Sequence, residues 1–258
     1  KAVLAEDVEV GAYSVIGEHV TIGAGTRVLS HVSIDGWTEI GERCELHPFV
    51  SVGGPPQHMQ YKGEPTKVVI GHSNILREYV TVNRATVQGG GVTTVGHSNF
   101  LMAYVHVAHD CHLGNHLILA NAASLAGHIS IGDHAIIGGL SGIHQFVRIG
   151  TYAMVGGCCA LGQDLPPFMR AAGGYRARMY GLNSIGLRRH GFSAERIAAL
   201  KKAYEVLFRS GHRVAEAVKL ARETFGASQD VMQVADFMQG TKRGICRSVG
   251  KDQEGDEE

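Results

Sequence analysis

Aliphatic side chains recur at every sixth position through most of the first 161 residues. The spacing holds without exception in three blocks, which run from Leu4 to Val52, from Ile70 to Val82 and from Val95 to Leu161. The blocks contain 24 such positions, and a glycine follows the aliphatic residue in 13 of them. A period of six fits no α-helix, whereas it fits a short strand with one inward side chain and then a sharp corner, for which glycine is suited.

We therefore predict that residues 1–165 form a β-solenoid, a parallel β-helix built from hexads. Three hexads complete a triangular coil of 18 residues, so the repeat supplies about eight coils. Stacked coils pair as parallel strands about 4.8 Å apart. The predicted hand is left-handed, which is the hand that hexad repeats of this kind take.

Two segments interrupt the period and then return to it in phase. They are "GGPPQHMQYKGEPT" at residues 53–66 and "RATVQGGGVTT" at residues 84–94. A loop that leaves a regular solenoid is a common place for functional residues. We expect both loops to protrude at corners of the prism, and the first, which is polar and rich in proline, to take part in function.

The hexad period stops after residue 161, and the pattern of the chain changes. Residues 163–192 show no period and are predicted to be irregular. Ser193 is a suitable N-cap for a first helix, a second helix is expected after Gly211, and a third over residues 230–238. Residues 166–258 are thus predicted to be a connecting segment and a small helical domain that ends in the acidic tail "DQEGDEE".

Composition narrows the class of protein. The chain has 24 basic and 24 acidic residues, so overall charge gives no reason to expect a nucleic-acid partner. No apolar run is long enough to be a transmembrane segment. Five cysteines without a CxxC motif or an evident disulfide framework favour a reducing compartment, so we expect a cytoplasmic protein.

The stretch "VHVAHDCHLG" has histidines at positions 106, 109 and 112, which resembles a metal-ligand spacing. The hexad register argues against a metal site. His106 and His112 occupy the same hexad position on consecutive faces of the prism, whereas His109 falls in a corner. These three side chains are not expected to meet at one ion within a monomer, so no metal is predicted.

The 18-residue coil brings a different set of polar residues together. One coil after His109 comes Gly127 beside His128, and one coil later Gln145 beside His144. The three histidines and Gln145 should therefore follow one edge of the prism. A second column, which consists mostly of glycine, recurs at the same spacing of 18 residues, at Asn121, Gly139 and Gly157. A polar edge beside such a column predicts a groove for a long, thin substrate.

The pair His109 and Asp110 suggests acid–base chemistry. An imidazole has an ordinary pKa of about 6.5, which suits a general base at neutral pH, and a carboxylate can fix its tautomer. Gly127 could direct its backbone N–H at a developing oxyanion. A base with an oxyanion donor indicates acyl transfer. No serine or cysteine lies in a nucleophile motif, so we expect direct transfer to the acceptor.

Several motifs resemble one known family, the UDP-N-acetylglucosamine O-acyltransferases of lipid A biosynthesis. The resemblance covers nearly the whole chain and is specific, because a generic hexapeptide acetyltransferase would share the period without the motifs. They are "GEPTKVVIG", "TVQGGGVTTVG", "HVAHDCHLGN", "LANAASLAGHISIGD", "AIIGGLSGIHQF", "MVGGCCALGQDLPP" and "GLNSIGLRRHGFS".

The resemblance implies a homotrimer with active sites between subunits. The donor would be a (3R)-3-hydroxyacyl group on the phosphopantetheine of acyl carrier protein, with no other cofactor, and the acceptor the 3-hydroxyl of UDP-N-acetylglucosamine. It implies that His109 is the general base, Asp110 its orienting partner, Gly127 the oxyanion donor and Gly157 the determinant of acyl length. The residues that it implies for substrate binding are Gln57, His128, His144, Gln145, Asn183 and Arg189.

Four positions depart from the family pattern. His58 and Gln60 in the first loop replace an aspartate and a lysine, and Ile185 and His190 replace an acidic residue and an arginine. His58 matters most, because the family's aspartate contacts the sugar, so we count His58 among the substrate-binding residues. A changed partner at the 3-position leaves a 3-amino analogue of the sugar as an alternative acceptor.

Three other functions are alternatives at this point. A γ-type carbonic anhydrase shares the β-helix but binds zinc through histidines at a subunit interface. An acetyl-CoA-dependent acetyltransferase would use a shorter donor. A non-catalytic scaffold would retain all its properties when His109 is replaced.

Overall fold

The computed structural model describes residues 1–246, which contain twenty-six short strands and four α-helices. The strands are β1 (Val3–Leu4), β2 (Glu9–Val10), β3 (Val15–Ile16), β4 (Val20–Ile22), β5 (Arg27–Val28), β6 (Ser33–Ile34), β7 (Trp37–Ile40), β8 (Glu45–Leu46), β9 (Ser51–Gly54), β10 (Lys67–Ile70), β11 (Ile75–Leu76), β12 (Thr81–Asn83), β13 (Val92–Val95), β14 (Phe100–Leu101), β15 (His106–Val107), β16 (His112–Leu113), β17 (Ile118–Leu119), β18 (Ser124–Leu125), β19 (Ser130–Ile131), β20 (Ile136–Ile137), β21 (Gly142–Ile143), β22 (Arg148–Ile149), β23 (Met154–Val155), β24 (Ala160–Leu161), β25 (Met169–Ala172) and β26 (Arg178–Leu182). The helices are α1 (Ser184–Arg189), α2 (Ala194–Tyr204), α3 (Val214–Phe225) and α4 (Gln229–Gln239), and α2 continues as a π-helical turn, Glu205–Arg209.

The strands form the three faces of a triangular prism. Face 1 contains every third strand from β1 to β22, face 2 those from β2 to β23, and face 3 those from β3 to β24. Each face therefore has eight strands from successive coils, and these pair in parallel. The predicted left-handed parallel β-helix of about eight coils is confirmed.

The repeated aliphatic residues fill the interior of the prism. All of them are buried except Leu4, Val10 and Ile16, which belong to the first coil and have a neighbouring coil on one side only within the described residues. Each fully buried aliphatic side chain contributes roughly 1.5–3 kcal/mol through its removal from water. The hydrophobic period thus specifies the fold because one inward side chain per hexad is enough to fill a narrow prism.

The prediction that glycine makes the corners is wrong. Of the 13 glycines that follow the aliphatic residue, only Gly53 has a positive φ. Except for Gly162, the others lie where another part of the chain is close: an added Cβ at Gly11 would lie 2.7 Å from the carbonyl carbon of Leu29 in the next coil. The left-handed conformation recurs two residues later, mostly in residues other than glycine, such as Tyr79, Asp110 and His128. Glycine therefore permits close stacking of the coils.

Both predicted loops leave the prism at the same corner, between faces 3 and 1. The first connects β9 to β10 and the second connects β12 to β13. We call this edge the His109 corner, since His109 follows β15 on face 3 and precedes β16 on face 1. The two loops consequently cover the part of the edge on which His109 lies.

The prediction of an irregular segment at residues 163–192 is wrong. Strand β25 pairs in parallel with β23 and extends face 2, and β26 returns antiparallel to β25. A short helix, α1, then begins after Asn183. The strands lack the hexad signal because a hairpin follows a different course from a coil, and its side chains alternate between buried and more accessible positions.

The helical region follows as predicted. The Ser193 hydroxyl accepts a hydrogen bond from the backbone N–H of Arg196 at 3.3 Å, which confirms Ser193 as the N-cap of α2. Helices α3 and α4 pack against each other and against α2. No helix within residues 1–246 has the length and apolar character needed to cross a membrane. The predicted acidic tail lies outside the described residues.

Candidate active site

A groove with a volume of about 940 Å³ runs along the outer surface of face 3. Its floor is formed by the outward positions of successive coils, which are His106, Ser124, Gly142 and Ala160, so only the first carries a large side chain. His109 lies on one side of the groove, and Arg176 and Arg178 belong to its far end. The groove is long and mostly lined by small or apolar residues, so it can hold an extended chain.

His109 is buried, with 6% of its surface exposed. It lies in a corner of the prism, as predicted, and the loops cover it there. The ring of His58, in the first loop, meets the ring of His109 edge-on with centroids 5.4 Å apart. The ring of His128, one coil on, meets it from another side at 5.2 Å. Water is therefore largely excluded around the imidazole.

Asp110 fixes the orientation of His109. The Nδ1–H of His109 donates to Asp110 Oδ2 at 2.7 Å, which leaves the lone pair on Nε2. The Asp110 side chain is fully buried, and Thr86 holds both carboxylate oxygens. The Thr86 N–H donates to Oδ1 at 2.9 Å and its hydroxyl to Oδ2 at 2.7 Å. An added Cβ at Gly89 would lie 2.0 Å from the Asp110 carboxyl carbon, so the second loop closes tightly over this carboxylate.

Replacing Thr86 with valine should lower the kcat of the reaction in which His109 is the base about tenfold. The change removes a hydrogen bond to the buried Asp110 carboxylate, which orients His109, and it keeps the shape of the side chain. Thr86→Ser should recover most of the loss. Thr94→Val is the matched control, since the Thr94 hydroxyl contacts the exposed His112. Steady-state kinetics check this, and equal rates for Thr86→Val and Thr94→Val would show that Thr86 does not position the base.

Gly127 lies against the imidazole of His109. An added Cβ would be 2.5 Å from Cε1 and 2.8 Å from Nε2 of that ring. The Gly127 carbonyl accepts from Phe146 N, whereas its N–H has no backbone acceptor within residues 1–246. The site thus combines a free amide donor with the unprotonated nitrogen of an oriented imidazole, and this combination can remove a proton and stabilise an oxyanion.

Burial lowers the pKa of three histidines along the prism. For His106 and His128 the largest cause is the loss of water around the ring, and the neighbouring His109 adds to the shift. Asp110 opposes the shift at His128. Burial likewise lowers the pKa of His134, on the corner between faces 1 and 2, where His116 and His190 also face it. The folded protein therefore disfavours the protonated form of these rings.

The melting temperature should fall when the pH is lowered from 7.5 to 5.5. An unfolded histidine takes up its proton near the ordinary pKa of 6.5, before the folded one does, so the free energy of unfolding decreases as the pH falls through that value. His134→Gln should show a smaller fall than the wild type. Differential scanning calorimetry at both pH values measures the melting temperatures. An equal fall in the wild type and in His134→Gln would contradict a depressed pKa for His134.

His109, Asp110 and His128 bring their ligand atoms within 4.8 Å of one another, which is close enough for a metal ion. The hydrogen bonds of the carboxylate argue against such use. Asp110 Oδ2 already accepts from His109 Nδ1 and the Thr86 hydroxyl, and His128 Nε2 lies 3.5 Å away. An ion would have to displace these donors from a buried oxygen.

The structure brings only some of the remaining candidate residues to the groove. Gln57 and His144 line it, and Gln145 adjoins His144 in the same corner. Gly157 lies at the corner between faces 2 and 3, together with Asn121 and Gly139, and none of these three lines the groove. The histidine edge and this second column were predicted to lie side by side. Within one chain they occupy opposite edges of face 3, so this prediction is wrong.

Asn183 and Arg189 lie at the third corner, between faces 1 and 2. The Asn183 side chain caps α1 by accepting from Gly186 N, and its amide donates to the Tyr152 carbonyl at 3.0 Å. Arg189 is exposed at the end of α1. His190 packs edge-on against the rings of His134 and Tyr152. Within a single chain, these residues are thus separated from the His109 corner.

Sequence reasoning missed Thr86 and Gly89, which hold Asp110, and also Arg243, which follows the helical region and contacts His144 in the groove. The glycine run after Thr86 is a usable signal, since three adjacent glycines in a loop indicate a close approach to another group. No pattern in the sequence points to Arg243.

Comparisons with known proteins give one consistent result. A family model described as UDP-N-acetylglucosamine O-acyltransferase, domain 2, matches residues 164–246. The acyl-[acyl-carrier-protein]–UDP-N-acetylglucosamine O-acyltransferase of Thermodesulfovibrio yellowstonii is 53% identical over 247 residues, which cover 96% of this chain and 95% of that protein. The solved structure of LpxA from Acinetobacter baumannii has a TM-score of 0.93 and 42% identity, with 95% of each chain covered.

A more distant solved structure shows the same similarity. UDP-N-acetylglucosamine acyltransferase from Francisella novicida has a TM-score of 0.93 and 35% identity, and the match covers 97% of this chain and 92% of that one. The resemblance drawn from the motifs is confirmed, and it extends through the prism and the helical region. The chain belongs to the UDP-N-acetylglucosamine O-acyltransferase family.

Proposed function

We propose that this protein transfers a (3R)-3-hydroxyacyl chain from acyl carrier protein to the 3-hydroxyl of UDP-N-acetylglucosamine, the first step of lipid A biosynthesis. The observation that carries the proposal is the oriented imidazole of His109 beside the free amide of Gly127, at the side of an extended groove. The similarity to relatives named for this activity over 96% of the chain supports the substrates. The cytoplasm is the proposed location, because all five cysteines are free thiols.

The chemistry follows from the geometry of the site. His109 Nε2 takes the proton of the sugar hydroxyl while Asp110 holds Nδ1–H and stabilises the imidazolium. The sugar oxygen attacks the thioester carbon, and the Gly127 N–H stabilises the oxyanion of the tetrahedral intermediate. Collapse of the intermediate breaks the carbon–sulfur bond. The imidazolium returns its proton to the leaving thiolate, so the phosphopantetheine leaves as a thiol.

A homotrimer is the proposed assembly. The candidate residues occupy all three corners of the prism: His109 one, Gly157 another, and Asn183 with Arg189 the third. One chain cannot present three different corners to one substrate, whereas neighbouring copies can place different corners side by side. We therefore propose that each active site lies between subunits, with the base from one chain and the acyl-length and nucleotide contacts shared with the next.

The acceptor atom depends on His58. Its ring contacts His109 directly, so it lies next to the atom from which the proton is removed. A neutral imidazole can accept from or donate to a 3-hydroxyl, and it can equally contact a 3-amino group. The hydroxyl is our first choice, and the 3-amino analogue of the sugar nucleotide is the alternative.

An acylation assay tests the proposal. Purified protein is offered UDP-N-acetylglucosamine or its 3-amino analogue, with a series of 3-hydroxyacyl carrier proteins and with acetyl-CoA. We expect acylation of the 3-hydroxyl from the carrier-bound donors. A preference for the amine would reassign the acceptor, and transfer from acetyl-CoA alone would contradict the donor.

Zinc chemistry is a second candidate, because three ligand atoms approach within 4.8 Å. Metal analysis of the active protein separates the two. Stoichiometric zinc that is lost together with activity on chelation would favour the carbonic anhydrase-like alternative, and acyl transfer that persists in chelator would support our proposal.

A further inference from the structure

The last described residues return from the helical region to the prism and form a strap, residues 240–246. Asp164, which is fully buried, anchors the strap at both ends. The Asp164 N–H donates to the Gly244 carbonyl at 2.9 Å, and the Cys246 N–H donates to the Asp164 carbonyl at 2.8 Å. The Thr241 hydroxyl donates to Asp164 Oδ2 at 2.8 Å. The strap is therefore held in a defined place against the last coil.

A second anchor joins the strap to the helical region. Arg148, on face 1, donates to the Gly240 carbonyl at 3.1 Å and to the Phe237 carbonyl at 2.5 Å. Its guanidinium carbon also lies 4.1 Å from the centre of the Phe237 ring. The strap can thus place a side chain at the prism with little freedom.

That side chain is Arg243, which reaches the groove. Its Nη2 lies 3.1 Å from His144 Nδ1 and donates to the Gly162 carbonyl at 3.1 Å. Its Nε is buried and has no hydrogen-bond partner within residues 1–246. A buried donor without a partner costs stability. This cost in stability indicates that the guanidinium is held in place for its contact with His144.

Two neighbours of His144 favour different positions of its ring proton. His144 Nδ1 also lies 3.1 Å from the carbonyl of Gln145. A carbonyl can only accept and a guanidinium can only donate, so the same nitrogen cannot satisfy both. If Nδ1 accepts from Arg243, the ring proton lies on Nε2. Without Arg243, Nδ1–H can donate to Gln145 and Nε2 becomes an acceptor.

We propose that Arg243 is a positioning residue that holds His144 in the Nε2–H tautomer, so that His144 offers a hydrogen-bond donor to an oxygen of the acceptor sugar nucleotide in the groove. The inference rests on the proposed function for the identity of that ligand. The tautomer itself depends only on the contacts of Arg243, His144 and Gln145. The C-terminal strap thereby contributes to the site without touching the substrate.

Kinetics of matched variants test the role. Arg243→Met keeps the aliphatic stem and removes the donors, and it should raise the KM for UDP-N-acetylglucosamine about tenfold with kcat changed less than about twofold. Arg243→Lys, which keeps a donor, should recover part of the affinity. Lys242→Met is the control, since Lys242 is adjacent and exposed. Melting temperatures of all variants are compared to detect unfolding.

A double-variant cycle distinguishes action through His144 from a general structural effect. Arg243→Met should add less than about twofold to the KM in a His144→Ala background. An equal effect in both backgrounds, or an unchanged KM in Arg243→Met, would overturn the proposal.

Nitrogen-15 NMR of histidine-labelled protein provides a readout that does not need activity. The His144 signal, assigned with His144→Gln, should show an unprotonated Nδ1 in the wild type and a protonated Nδ1 in Arg243→Met. The same tautomer in both proteins would also overturn the proposal. A protein without acyl transfer but with the expected tautomers would refute the proposed function while leaving the action of Arg243 on His144 in place.

Discussion

His109→Ala is expected to lower kcat by about 10²–10⁴-fold, the usual contribution of a general base. The variant removes the group that takes the proton of the acceptor, while the groove and the Gly127 amide remain. The KM for either substrate should change much less than kcat. Steady-state rates with the hydroxyacyl donor and UDP-N-acetylglucosamine measure both quantities.

The control is His212→Ala, which removes an exposed histidine of the helical region. It should keep wild-type kinetics. The melting temperature of His109→Ala is measured as well, because His109 is buried under two loops and its loss leaves Asp110 without one hydrogen-bond donor. A folded His109→Ala protein with kcat near that of the wild type would remove the general-base role and favour a non-catalytic scaffold.

Gly127→Ala is expected to give the second large loss, about 10²-fold in kcat. The new methyl group would lie 2.5–3.0 Å from three atoms of the His109 ring, so the imidazole has to move. A displacement of about 1 Å from a reactive geometry can cost this much. The loss should appear in kcat because the altered distance concerns the reacting atoms.

Gly174→Ala is the matched control, since nothing lies within 4 Å of a Cβ added there. It should be as active as the wild type. A crystal structure of Gly127→Ala should show the rotated ring and an altered contact between His109 and Asp110. Full activity with the ring unmoved would mean that the backbone, and not the imidazole, makes way for the methyl group.

The fold was accessible from the sequence because a solenoid repeats one physical requirement at a fixed spacing. Each hexad needs one buried aliphatic residue, and a single sequence contains enough hexads to make the period unmistakable. The alignment of His109 with His128 and His144 follows from the same arithmetic, since residues one coil apart must stack. The functional roles of these residues stay predictions.

The conformation of the corners could not be read from the sequence in the same way. Left-handed residues such as Tyr79 and Phe146 are not those that local preference would select for a positive φ. The coil imposes this conformation, and stacking of the side chains in the next coil helps to stabilise it, as the rings of Tyr79 and Tyr104 show at 4.9 Å. Glycine occurs two residues before the left-handed position because adjacent coils stack closely there, and the sequence does not show this distance.

Residues outside the repeat were the hardest to place. Thr86 comes to Asp110 through a loop that has no period, and Arg243 comes to His144 across 99 positions of the chain. Asn183 has a local role as a helix cap that its short motif did not reveal. Contacts of this kind depend on how loops and a distant strap fold back, and a pattern of hydrophobic spacing carries no information about them.

The strict stacking of the coils limits how related chains can change in length. Deletion of a single hexad between Leu119 and Ile137 would carry every later side chain to the next face, and His144 would leave the edge that it shares with His109. Insertions and deletions inside the prism should therefore come in whole coils, whereas the two loops can change length at the residues that do not contact His109 or Asp110. Variation among homologues in substrate choice should accordingly concentrate in these parts of the loops, where insertions leave the contacts of His109 and Asp110 in place.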